Sequence, residues 1–273
     1  MNYFMSDLRG AANAYFEMKD RISFKANDEL FLLGDIFDGN NENPGACITI
    51  LNDIITNDNI HLILGDHEYA HIMHYISKEN PEAAYEWENY ITDPSFGGTS
   101  FFKFFNQNLS KKEQEYYIAF LLSCELTELL KIGKRYFYVV HGSPAVCKQK
   151  DTCSWQRDVS SIGLSLQHNY AMAIASNPDL LMPKDMTEKN TFIIAGHIPT
   201  KFVFEENEKL LNKYYKDQQN SLSKKQKIIF ENQKMMIDCG CSGNTIGLSS
   251  KEWTSNLACV AIDAAGFFTE YLL

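Results

Sequence analysis

The chain has 273 residues, 45% of them hydrophobic, and a formal net charge of -10. That length and apolar content suit one large α/β domain, or two small ones, with an ordinary core, and they exclude general disorder. The acidic balance disfavours a protein that grips nucleic acid through phosphates, and no run nears the roughly 20 apolar residues that cross a bilayer. The start shows no basic region followed by an apolar stretch, so a cytoplasmic location without membrane attachment is expected. The seven cysteines are scattered and odd in number. Cys147 and Cys153 could pair, but all seven read as reduced thiols, and no C-x-x-C pair suggests a zinc cluster.

In chain order, residues 2–6 read as a strand and 11–22 as a helix with Ala14, Phe16, Met18 and Ile22 apolar. Residues 30–33 and 61–64 read as further strands, with a helix at 47–55 between them. This β-α-β-α-β order predicts a parallel sheet with helices on its faces. Functional residues of such sheets collect just beyond the carboxyl ends of the strands. Asp7, Asp35 and Asp66 all stand there. One acid after a strand is commonly a helix N-cap, but three in one crevice repel each other unless a cation joins them.

Residues 82–91 and 111–122 read as helices on either side of a Gly97–Gly98 turn. The string TELLKIGKRYFYVVHG reads as a β-hairpin ending on His141, and TFIIAGHIPT as a buried strand ending on His197. MMIDCG, LACVAID and GFFTEYLL read as three short strands. Residues 205–234, rich in Lys, Glu, Asn and Gln, read as a polar surface insertion. Strand ends thus carry Asp7, Asp35, Asp66, His141 and His197, a carboxylate and imidazole set that suits Mn, Fe, Zn or a similar divalent ion.

The strings SDLRG, GDIFDG, GDHE, HGSP and GHIPT occur in the order of the calcineurin-like metallophosphoesterase motifs. The chain resembles that superfamily, and more closely its bacterial serine/threonine protein phosphatases of the PPP family. FGGTSFF, SWQRD and IDCGCSGN followed by LACVAID are similar to further elements of that family. The resemblance implies an α/β fold, a four-layer αββα sandwich, formed by a single domain over residues 1–273. It implies a bimetal site in which Asp35 bridges, Asp66, His141 and His197 complete one ion's shell, and Asp7 binds the other. Manganese is the first choice, with iron, zinc or magnesium as alternatives. It also implies His67 as the proton donor to the leaving group, Asp38 as the residue orienting it, and Arg157 as a phosphate ligand.

The pattern departs from the family at three places. Arg9 stands where the family has a histidine ligand, and a guanidinium has no lone pair for a metal. Asp66 replaces an asparagine, and Gly39 replaces an arginine. Three acids carry -3, and Arg9 with one divalent ion carries +3, so one ion could suffice. Arg9 would then take over part of a second ion's task, or supply the phosphate contact missing at Gly39. Alternatively Arg9 turns outward and a second ion binds weakly, or catalysis has decayed.

The expected function is hydrolysis of phosphate esters, in a phosphoprotein, a small metabolite or a dinucleoside polyphosphate, by in-line attack of a metal-activated water. The contrasting expectation is a pseudophosphatase that binds phosphorylated partners without turnover. HEYAH, residues 67–71, is also a literal H-E-x-x-H, the zinc-protease helix motif. His67 follows a strand and a Gly-Asp turn, which places it at a helix entry and argues against that reading. His71 and His74 then read as helix-face residues. Trp87 and Trp155 could stack on a substrate, and Cys239 and Cys241 could respond to oxidation, but packing is the expected use of all four.

Overall fold

A computed structural model describes residues 1–38, 43–93, 99–142, 191–218, 223–231, 233–241 and 253–273. Gly39, Cys147, Cys153, Trp155, Arg157 and the Gly97–Gly98 turn lie outside the described residues. Among the described residues, no helix is long and apolar enough to cross a membrane.

The first sheet is built from β1 (Asn2–Ser6), β2 (Glu29–Leu33) and β3 (Ile60–Ile63). These run parallel and are linked through α1 (Ala12–Arg21) and α2 (Ala46–Thr56). Helices α3 (Asp66–Ile76), α4 (Pro81–Thr92), α5 (Thr99–Asn108) and α6 (Lys111–Ser123) follow. The hairpin β4 (Thr127–Ile132) and β5 (Arg135–Val140) opens the second sheet, which β6 (Thr191–Ala195) continues. After α7 (Thr200–Glu206) and α8 (Glu208–Tyr214) come β7 (Lys224–Lys225), β8 (Ile229–Glu231) and β9 (Lys234–Met236). The last strands are β10 (Trp253–Thr254), β11 (Ala258–Ile262) and β12 (Phe268–Leu272). The two large sheets run β12-β11-β1-β2-β3 and β4-β5-β6-β9-β8, and β7 pairs with β10 apart from them.

Side-chain alternation assembles the layers, because successive residues of a strand face opposite sides. Tyr3, Met5, Leu30, Leu32, Ile60 and Leu62 pack with buried residues of α1, α2, α5 and α6. Their neighbours Phe4, Phe31, Leu33 and Ile63 pack instead with Phe137, Val139, Ile194 and Met235 of the second sheet. On the far side, Val203, Phe204 and Leu210 of α7 and α8 cover Ile229 and Met236. The order is helix, sheet, sheet, helix.

Local signals set several helix starts. Asn80 accepts from Ala83 N ahead of Pro81 at the start of α4, and Ser110 with Glu113 forms a capping box at α6. In α1 the buried stripe is Tyr15, Met18 and Ile22, while Phe16 is 36% exposed. The expected face is therefore rotated, and Tyr15 can be buried because its hydroxyl donates to Asp53 Oδ2 at 2.7 Å. Residues 205–234, expected as a polar insertion, also hold buried Leu210, Tyr215 and Ile229, and β9 pairs in parallel with β6.

Candidate metal and phosphate centre

Both sheets direct the carboxyl ends of parallel strands to one place. β1 leads to Asp7 and Arg9, β2 to Asp35 and Asp38, and β3 to Asp66 and His67 at the start of α3. β5 leads to His141, β6 to His197 and β9 to Asp238. All of these are buried except His197, which is partly exposed.

The backbone here is strained in a consistent way. Asp7, Arg9, Asp35, Asp38 and His197 all have positive φ, between 43° and 67°. Side chains with a Cβ rarely adopt that region, and such strain persists where the surroundings over-determine it, most often at functional sites. The surroundings can be named. Arg9 N donates to Asp35 O at 2.8 Å and Gly10 N to Ile36 O at 2.9 Å, so the loops after β1 and β2 run side by side. The Glu68 carboxylate, fully buried, accepts from Asp35 N, Ile36 N, Phe37 N and Gly65 N at 2.8–3.0 Å. It fixes the loop after β2 against the start of α3. Gly34, at φ 69°, lets the strands close up, since a Cβ there would lie 2.5 Å from Gly65 backbone atoms. Gly196 plays the same part after β6: an added Cβ would overlap Ser6 Oγ and lie 2.6 Å from Asp7 Oδ2. Gly196→Ala is expected to cost about 1–3 kcal/mol through overpacking, a drop of roughly 2–12 °C in thermal melting.

Four side chains converge. Asp35, Asp66, His141 and His197 each offer one ligand atom, and those atoms lie within 4.8 Å of one another. His141 Nδ1–H donates to Leu33 O at 2.6 Å, so Nε2 is the nitrogen that faces the group. That nitrogen stands 3.1 Å from Asp66 Oδ1, 3.1 Å from His197 Nδ1 and 3.3 Å from Asp35 Oδ1. Burial, together with the neighbouring Asp66 charge, pushes the Asp35 carboxyl well above the usual range. Burial alone would discharge His141, but Asp35, Asp66 and Asp7 hold its imidazolium well above the ordinary value. With an ion in place of the proton that His141 carries, two carboxylates and two imidazoles converging on one point are a donor set that a divalent cation takes.

Asp7 lies outside this four-residue group. Its Oδ2 accepts from His197 N at 2.8 Å and from Ser6 Oγ. Its Oδ1 has no hydrogen-bond partner among the described residues and stands 3.7 Å from Arg9 Nη2. Arg9 turns inward, which rules out the outward alternative. Its Nη2 donates to Asp35 Oδ2 at 2.6 Å and its Nη1 to His67 Nε2 at 2.7 Å. Burial opposes the charge, but Asp35, Asp7 and Asp66 keep the guanidinium firmly protonated.

His67 is held at both nitrogens, because Nδ1–H donates to Asp38 Oδ2 at 2.8 Å. Burial and then Arg9 lower its pKa, so the ring rests neutral with Nε2 as acceptor. Burial opposes ionisation of Asp38, yet His71 and His67 hold its pKa at about 2. His71 Nε2 reaches the same Asp38 Oδ2 at 3.3 Å. The two histidines of HEYAH therefore converge on a carboxylate, and their glutamate binds backbone amides. This is not a zinc-protease arrangement.

Several residues of this centre escape sequence reasoning. They are Glu68, His71, Asp238 and Tyr90. Burial and Asp7 raise the Asp238 carboxyl well above its usual range. Tyr90 of α4, 36% exposed, lies near Asp66 and Asp35, and partial burial followed by their charges raises its phenol. Trp87 packs against Tyr69 and Tyr90. Cys239 is buried in the core between the sheets.

No curated protein matches the chain. Among solved structures, one described as a candidate diadenosine tetraphosphatase covers 99% of this chain and 92% of its own, at 11% identity and a TM-score of 0.49. A metallophosphoesterase from Sphaerobacter thermophilus covers 100% and 87%, at 14% identity and a TM-score of 0.43. A protein serine/threonine phosphatase from Saccharomyces cerevisiae covers 100% and 79%, at 10% identity and a TM-score of 0.49. The calcineurin-like phosphoesterase profile matches residues 3–224, most of the chain, and with its strand-end acids and histidines gathered at one centre this chain belongs to the calcineurin-like phosphoesterase family.

Proposed function

We propose that the chain is a metal-dependent phosphomonoesterase of the kind found in bacterial serine/threonine protein phosphatases. The observation that carries this reading is the convergence of Asp35, Asp66, His141 and His197 beside an inward-facing Arg9. The serine/threonine assignment is supported by the FGGTSFF, SWQRD and IDCGCSGN strings. The substrate is a phosphoprotein or a small phosphate ester.

When bound, a divalent ion supplies Lewis-acid polarisation of the phosphate ester and acidification of a water. The remaining work falls to side chains. Arg9 brings a fixed positive charge and a planar donor fork to the phosphate oxygens. His141 keeps Nε2 inward because Leu33 O accepts from Nδ1–H. His67 Nε2 is the atom at which a proton is held, and Asp38 fixes the tautomer by accepting from Nδ1. Because Arg9 and burial keep His67 neutral at rest, it must gain a proton before it can give one to the leaving oxygen. A phosphate oxygen that accepts from Nη1 in place of His67 frees Nε2 to take a proton from solvent, while Nη2 stays on Asp35.

His71 acts through Asp38 as a positioning residue. His71→Phe is expected to lower turnover about 10-fold, in the range usual for loss of a supporting hydrogen bond, and to change the pH dependence of kcat as Asp38 loses a partner. The proposed function is tested by comparing p-nitrophenyl phosphate, bis(p-nitrophenyl) phosphate and a phosphoserine peptide in Mn²⁺. Monoester and peptide hydrolysis, lost in His67→Ala, is the expected result; hydrolysis confined to the diester would contradict it.

A further inference from the structure

We infer that the centre takes one divalent ion per chain, and that the Arg9 guanidinium occupies the place of a second cation between Asp7, Asp35 and His67. The inference rests on the metal-dependent reading above and deepens it.

Three observations carry it. First, among the described residues, the ligand atoms that gather for an ion come from four side chains, and Asp7 is not one of them. Second, the gap that Asp7 faces is filled. Arg9 Nη2 stands 2.6 Å from Asp35 Oδ2 and 3.7 Å from Asp7 Oδ1, and Nη1 stands 2.7 Å from His67 Nε2. An ion joined to those same atoms would need them at about 2.0–2.6 Å, in space the guanidinium holds. The guanidinium contributes no lone pair, so it cannot share that space as a ligand. Third, the arginine cannot readily swing away. It is 9% exposed, its backbone has φ 43°, and its amide is bonded to Asp35 O at 2.8 Å.

Charge accounts for why this arrangement is stable. The carboxylates of Asp7, Asp35 and Asp66, counted without Asp238 at the end of β9, would leave a buried charge of -3. One divalent ion and Arg9 restore neutrality, whereas two divalent ions with Arg9 would leave an excess of positive charge in a buried space. The fixed cation differs from an ion in one functional respect: it offers directed N–H donors to phosphate but cannot acidify a water. Only an ion held by the four-donor group would do that.

The test is to strip the full chain of metal, saturate it with Mn²⁺, remove free ion by gel filtration and count the manganese per chain. One ion per chain with an uncoupled Mn²⁺ electron paramagnetic resonance signal is expected. Arg9→His, which restores a lone pair and removes the fixed charge, is expected to bind two ions and show an exchange-coupled signal. Two ions in the unaltered chain would overturn the inference while leaving the metal-dependent reading intact. No bound manganese in a folded chain would overturn both. An Arg9→His chain that folds and still binds one ion would also overturn the inference. The manganese count of the unaltered chain decides between one ion and two even if that variant does not fold.

Discussion

Asp35→Asn is expected to abolish function while leaving the metal-free chain at least as stable. Asp35 is the point where the parts of the centre meet. It accepts from Arg9 at 2.6 Å and from His67 N at 3.4 Å, and it faces His141 Nε2 at 3.3 Å. Asparagine keeps the shape and removes the charge. Both the ion and the guanidinium then lose a shared counter-charge. Turnover should fall about 10³-fold, equivalent to roughly 4 kcal/mol of transition-state stabilisation, and Mn²⁺ affinity should fall by at least about 100-fold. The stability sign runs the other way. The folded chain raises the Asp35 carboxyl above its usual range, chiefly through burial and Asp66. Such an acid loses stability as pH rises past its unfolded value, because ionisation is harder in the folded state. Removing the charge should therefore raise thermal melting of the metal-free chain at neutral pH. Titration calorimetry with Mn²⁺ and melting without metal read the two effects separately. A variant that melts lower but binds metal normally would refute this assignment.

Glu68→Gln is expected to have the largest effect on the fold. Oε1 accepts from Ile36 N and Phe37 N, and Oε2 from Asp35 N and Gly65 N. Glutamine keeps one oxygen and puts an N–H₂ where the other stood. Two buried amides then face a donor, each costing about 1–3 kcal/mol. A loss of about 3–5 kcal/mol follows, or roughly 10 °C in thermal melting. Activity should fall with it, because the carboxylate positions Asp35. Thermal denaturation monitored by circular dichroism checks this, and a shift under 2 °C, within the effect of about 1 kcal/mol, would show that the amides find other partners.

The strand ends are legible in the sequence because they carry a double signal, a short apolar run and then an acid or histidine beside a small residue: Ser-Asp after β1, Gly-Asp after β2 and β3, His-Gly after β5 and Gly-His after β6. β1 falls on residues 2–6 as expected, and the histidines at 141 and 197 end their strands as the pattern requires. Glu68 stands within GDHE, but its task is not legible there, since its partners include backbone amides about 30 residues upstream. Its place three residues after Gly65, at the third position of α3, is the one local hint. His71 reads as a helix-face residue and is one. That this face meets Asp38 depends on how α3 packs over the loop after β2. Tyr90 lies on a helix with no motif, so only tertiary packing brings it to Asp66. Phe16 and Tyr15 show the same limit: hydrophobicity alone favours the phenylalanine, but Asp53 gives the tyrosine hydroxyl a partner and so decides which ring is buried. Arg9 is the clearest case. Its direction is open in the sequence, and Asp35 with His67 draws it inward.

The central claim is that this centre turns over phosphate esters with a divalent ion. The most direct test is the rate of p-nitrophenyl phosphate hydrolysis by the metal-stripped full chain as Mn²⁺ is restored, alongside His141→Ala. The account predicts negligible turnover without metal, saturable recovery with Mn²⁺, and no recovery in His141→Ala. Turnover that is indifferent to Mn²⁺, or that survives loss of His141, would contradict it.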